Sequence, residues 1–124
     1  MIITTCTLLK FATDGGARMS AKYDDKAGPD NVREKSIEQK LVKEVRLRGG
    51  ICPKFTSPGF SGMPDRLVIL PGGHVGFVEV KAPGKKPRPL QVARHQMLRS
   101  LGILVFVLDH PGQIGGILDG IQTA

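Results

Sequence analysis

Two acids and a lysine stand where a chain can least accommodate unpaired charge. Asp65 heads the apolar run DRLVIL, and Glu79 and Lys81 lie inside VGFVEVKAP. Both runs read as strands, and a charge in a strand interior is costly unless it is paired or used. Side chains alternate along a strand, so Glu79 and Lys81 share a face with Val75 and Phe77, and Asp65 shares its face with Leu67 and Ile69. Pairing Leu70 with His74 leaves Pro71-Gly72-Gly73 as the connection, a three-residue loop of the kind that carries a glycine in the left-handed region. That register sets Asp65 opposite Glu79 on one side of the sheet. A slip of one residue would send the two acids to opposite faces.

Paired carboxylates repel and raise each other's pKa unless a cation sits between them. A hard divalent ion suits such a pair, since Mg²⁺ takes one or two carboxylates together with waters and phosphate oxygens. Mg²⁺ or Mn²⁺ is therefore the expected cofactor, with the backbone carbonyl of Val80 as a further ligand. Lys81 projects beside the ion, where it can position or deprotonate a water and offset charge in the transition state. The combination suits phosphodiester hydrolysis. A solvated Glu–Lys hairpin would carry the same residues, but VGFVEVKA is too apolar for a solvent-facing edge.

The rest of the composition agrees with such a partner. The chain has 124 residues, 40% hydrophobic and 23% charged, with a net charge of +7. That length supports one core. Excess positive charge favours a polyanion, chiefly nucleic acid. With five Phe, one Tyr and no Trp, a row of aromatics stacking along a single strand is poorly supplied, and phosphate contact is easier. No apolar run reaches the roughly 20 residues that span a bilayer, and MIITTCTLLKF is not followed by a clean signal-cleavage site. Cys6 and Cys52 match no metal spacing and give no disulfide framework, so a cytoplasmic protein, of a bacterial or phage-infected cell, is expected.

Residues 1–34 read as an N-terminal arm. Residues 1–11 could form a strand, whereas DGGARMSAKYDDKAGPDN is turn-rich and polar and reads as loop or disorder. Gly15-Gly16 can be encoded by a purine-rich ribosome-binding sequence, so Met19 is a candidate true start, a hypothesis that finding Met1 at the N-terminus of native protein would end. From Ser36 the pattern sharpens. SIEQ reads as a capping box with Ser36 as N-cap, Ile37, Leu41 and Val45 recur on one helix face, and Gly49-Gly50 stops the helix. Strands follow over 51–56, 65–70 and 75–82, then a helix over 90–101, a strand over 103–108 and a short helix near 113–121. The order is αβββαβ over a domain of residues 35–124.

With these elements in place, E, G-x-P-D-R, E-V-K-A-P and Q-x-x-x-H occur in order, and the chain resembles a stand-alone VRR-NUC domain of the PD-(D/E)XK nuclease superfamily over about residues 35–108. The resemblance implies an α/β, restriction-endonuclease-like αβββαβ core, a mixed central sheet flanked by helices. It implies a metal-dependent DNA endonuclease, structure-specific for four-way junctions or other branched DNA, of phage or mobile-element type. It makes Glu38 an outer metal ligand, direct or through water, and has Gln91 support the lysine or a phosphate. An ordinary exposed helix glutamate would also explain Glu38, and Gln91 and His95 could be a plain surface pair. Arg66, by strand parity, points away from Asp65 and is left out of the metal centre. Lys85, Lys86 and Arg88 form a stiff basic loop for phosphate contact, or simply a solvated one. Two other readings are a non-catalytic DNA-binding protein with a nuclease-like fold and a restriction-type nuclease component. Paired cuts across a branch suggest a homodimer. Its apolar material would be Ile114, Ile117, Leu118 and Ile121, or the stretch Ile2 to Leu9, with core packing the competing use of both.

Overall fold

The structure, a computed structural model, describes residues 28–124. The strand expected over 1–11, the alternative start at Met19, the Ile2 to Leu9 stretch and most of the turn-rich segment lie outside these residues. The first helix, α1, runs Pro29–Leu47, so it begins seven residues before the cap expected at Ser36. Pro29 at the first helical position is preorganised for helix, Asp30 complements the helix dipole, and nothing in NVREK breaks the turn that follows. Ser36 is therefore an exposed mid-helix residue and SIEQ caps nothing.

Strands β1 (Arg66–Leu70) and β2 (His74–Val80) form the antiparallel hairpin in the expected register, Leu70 against His74. Gly72 and Gly73 of the connecting loop both take positive φ. Helix α2 (Pro89–Ser100) then crosses over to β3 (Val105–Leu108), which pairs parallel to β2. A short 3-10 turn, Pro111–Gln113, leads into α3 (Ile114–Thr123). The strand expected over 51–56 is reduced to two isolated bridges on the outer edge of β1, Ile51 to Ile69 and Lys54 to Arg66. Pro53 lies between them without an N–H to donate; its carbonyl still accepts from Leu67. The result is a mixed sheet flanked by helices, an α/β core of restriction-endonuclease type.

The sheet has two unlike faces. Val68, Leu70, Val78, Val80 and Leu108 are buried against α1 and α3 in the apolar core. Glu79 and Phe77 face the other way, toward α2, whose Gln91, His95 and Leu98 are buried. Ile114, Ile117, Leu118 and Ile121 all belong to the core. The expectation that they form a dimer face is corrected: exposing each would cost about 1.5–3 kcal/mol, so this helix face is occupied within its own chain. Gly76 of β2 lies against α3 so closely that a Cβ there would stand 2.8 Å from Ile121 Cγ1. Among the described residues no helix is long and apolar enough to cross a membrane.

Candidate active site

The open ends of β1 and β2 carry the acids. Asp65 immediately precedes β1, and the hairpin register, continued one step beyond Arg66 and Val78, places it across from Glu79. The Val80 N–H donates to Asp65 Oδ1 at 3.2 Å. Glu79 is only 2% exposed. Its Oε1 accepts from Gln91 Nε2 at 2.8 Å and stands 3.2 Å from Lys81 Nζ. Its Oε2 has no hydrogen-bond partner and faces His95 Nε2, equally unpartnered, across 3.9 Å.

Electrostatics mark the same pair. Burial pushes the Glu79 carboxyl above its ordinary range, Asp65 pushes it further, and Lys81 pulls it back. Burial also raises Asp65, with the Val80 N–H opposing. His95 is lowered, by burial first and then by Arg99 and Lys81. Burial thus raises both acids, while Lys81 offsets the charge of Glu79 and, more weakly, Arg66 that of Asp65.

Gln91 does not reach for the lysine or for solvent. Its Nε2 donates to Glu79 and its Oε1 accepts the Arg88 N–H at 2.9 Å, so one side chain ties the start of α2 to the acid on β2. His95 is one helical turn further on and, at 2% exposed, is part of the site rather than of a surface pair.

The helix acid is arranged differently from the expectation. Glu38 Oε1 accepts from Arg66 Nε at 2.7 Å and from the second Arg66 nitrogen, and Lys54 Nζ lies 3.7 Å away. Arg66, on the face opposite Asp65, thereby fastens α1 to β1, and its third nitrogen donates to the Cys52 carbonyl at 2.8 Å. One turn earlier stands half-buried Glu34: burial, the largest influence, raises its pKa, Asp65 and Glu38 add to this, and Lys81 and the Ala82 backbone oppose it. Sequence reasoning missed Glu34. Its four-residue spacing from Glu38 was a usable signal, lost once the helix was started at Ser36. Lys85, Lys86 and Arg88 are exposed beside these groups, and Lys85 Nζ pairs with Asp30 Oδ2 at 3.3 Å.

Among the described residues no group of three or more His, Cys, Asp or Glu side chains converges as a ready metal cluster. Mg²⁺ does not require one: two carboxylates, a backbone carbonyl and water suffice. The unpartnered, buried Glu79 oxygen and the raised Asp65 and Glu79 fit a divalent cation.

Two acids thus meet across the hairpin, with Lys81 directly after β2 and buried Gln91 behind Glu79, on an α/β core of restriction-endonuclease type. A solved structure described as "VRR_NUC domain" matches with a TM-score of 0.66 and 34% identity, over 70% of this chain and 95% of that one. A protein of Acyrthosiphon pisum secondary endosymbiont phage 1, named "Putative nuclease p44", is 59% identical over 78 residues, 63% of this chain and 84% of its own. No family model matches. The chain belongs to the VRR-NUC family of the PD-(D/E)XK nuclease superfamily.

Proposed function

We propose that the chain is a Mg²⁺- or Mn²⁺-dependent endodeoxyribonuclease that cuts branched DNA. Glu79 carries the reading: a buried carboxylate with Gln91 and Lys81 on one oxygen and no hydrogen bond on the other, set across from Asp65. In this reading Asp65, Glu79 and the Val80 carbonyl hold the ion. Glu34 adds charge through solvent, and Glu38, engaged by Arg66 and Lys54, does so less directly. When bound, the ion supplies Lewis-acid stabilisation of charge on the scissile phosphate. Lys81 orients the attacking water and offsets the negative charge that accumulates as its oxygen bonds to phosphorus and the leaving oxygen departs. Gln91 keeps Glu79 in place throughout. Lys85, Lys86 and Arg88 take neighbouring phosphates. A four-way junction needs two cuts, and a twofold dimer supplies two sites at a fixed spacing. With α3 committed to the core, exposed Leu101 and Ile103 after α2 offer apolar surface for such a contact.

Cleavage assays on duplex, flap, splayed-arm and four-way DNA, with divalent metal or chelator, test the reading. Metal-dependent cutting that favours branched substrates is expected. Cutting that persists in chelator would overturn the metal assignment. A single monomeric species in sedimentation, with and without junction DNA, would overturn the dimer.

A further inference from the structure

The loop that delivers Asp65 carries an aromatic ring that the core does not use. Phe55 and Phe77 are half-buried and meet edge-to-face, centroids 5.1 Å apart, and Phe106 packs near Gly120. Phe60, in the segment 57–63, is instead 38% exposed. It is not loose. The Arg94 guanidinium carbon lies 4.0 Å from the ring centroid, and Arg94 Nε donates to the Ser61 carbonyl at 2.8 Å. Gly62 approaches α2 so closely that a Cβ there would meet Arg94 Cγ at 2.9 Å and the Leu90 carbonyl at 3.0 Å.

These contacts fix where the ring stands. Leu90 and Arg94 flank Gln91, the residue that holds Glu79, and Phe60 precedes Asp65 on the same short loop. The ring is therefore held against the helix that carries Gln91, five residues before Asp65 in the chain, with a cation at its face and the exposed basic residues Lys85, Lys86 and Arg88 on the approach to the same helix. We propose that Phe60, backed by Arg94, is a stacking platform for an unpaired DNA base next to the scissile phosphate. The proposal rests on the nuclease reading for its ligand and narrows it. Base faces inside a continuous duplex are covered by their neighbours, whereas an unpaired base offers a face to an aromatic or guanidinium surface. One rigid platform does not need the row of aromatics that tracks a long single strand. The site then prefers DNA with unpaired nucleotides at the branch, such as a flap or splayed arm, over continuous duplex.

The test uses the full chain carrying Asp65→Asn, so that binding is read without cutting, and a splayed-arm DNA with 2-aminopurine as the first unpaired nucleotide. Binding should quench the probe. Adding Phe60→Ala should abolish the quench and weaken splayed-arm binding by about 5- to 100-fold, with duplex affinity changed less than twofold. Phe60→Trp should keep both signals. An unchanged quench with Phe60→Ala, or an equal loss on duplex and splayed DNA, would overturn the platform. If the unaltered chain cuts no DNA but the quench still depends on Phe60, the nuclease reading fails and the platform stands. If cutting is intact and Phe60→Ala changes nothing, the platform alone fails.

Discussion

At the scale of single residues, the charge balance around Asp65 and Glu79 makes opposite demands on stability and on chemistry. Both acids are raised above their ordinary values by burial. A raised acid binds its proton more tightly in the folded state than in the unfolded one, so its contribution is most favourable below the unfolded value and is lost as pH climbs through the folded one. Metal-free protein should therefore lose thermal stability as pH rises from about 4, and Mn²⁺ should restore more of it at neutral pH than at acid pH. A Tm series with and without Mn²⁺ checks both. For the same reason Asp65→Asn should abolish cleavage, raise the metal-free Tm at neutral pH, and leave DNA binding equal or stronger; wild-type cutting by this variant would remove Asp65 from the site. Lys81→Ala should lose most activity and leave Mn²⁺ affinity in calorimetry nearly intact. The opposition of Asp65 and Glu79 was legible in the sequence, because strand parity and a three-residue loop allow one register that joins them. The attachments of Glu38 to Arg66 and of Gln91 to Glu79 were not, since each depends on how a helix docks on the sheet.

At the scale of elements, local signals set the interiors correctly and the ends less well. The Ile37, Leu41 and Val45 stripe marked α1, and all three are buried, but a plausible capping box at Ser36 hid the earlier start at Pro29. Pro53 reduced an apolar run to two bridges, a loss visible in the sequence to anyone who asked which N–H groups were available. The basic loop has a measurable role at this scale. Replacing Lys85, Lys86 and Arg88 with Ala should flatten the salt dependence of DNA binding by up to about three phosphate contacts, while the rate of a saturated single-turnover reaction changes little. An unchanged slope would put the DNA elsewhere. The contact between β2 and α3 offers a second handle. Gly76→Val places methyl groups where Ile121 already sits, and overpacking of this kind costs about 1–3 kcal/mol. Chemical denaturation should report that loss, and Ile121→Ala in the same protein should recover part of it.

At the scale of the whole molecule, the apolar residues of α3 show why partner surfaces are hard to read from sequence: a dimer face and a core face have the same periodicity, and only docking decides between them. The positive charge, by contrast, needed no docking to be informative, because its long-range field depends on totals. One small device links these levels. Gln91 holds the Arg88 backbone with one end and Glu79 with the other, so the loop proposed to meet phosphate and the acid proposed to meet metal share a single lever. Thermodynamic linkage then runs both ways: whatever factor Mn²⁺ adds to DNA affinity, DNA must add to Mn²⁺ affinity. In Asp65-intact chain with an uncleavable phosphorothioate substrate, those two factors should match and exceed one. In Gln91→Leu, which cuts the lever, both should shrink toward unity together, and the enzyme would then bind each partner without sensing the other.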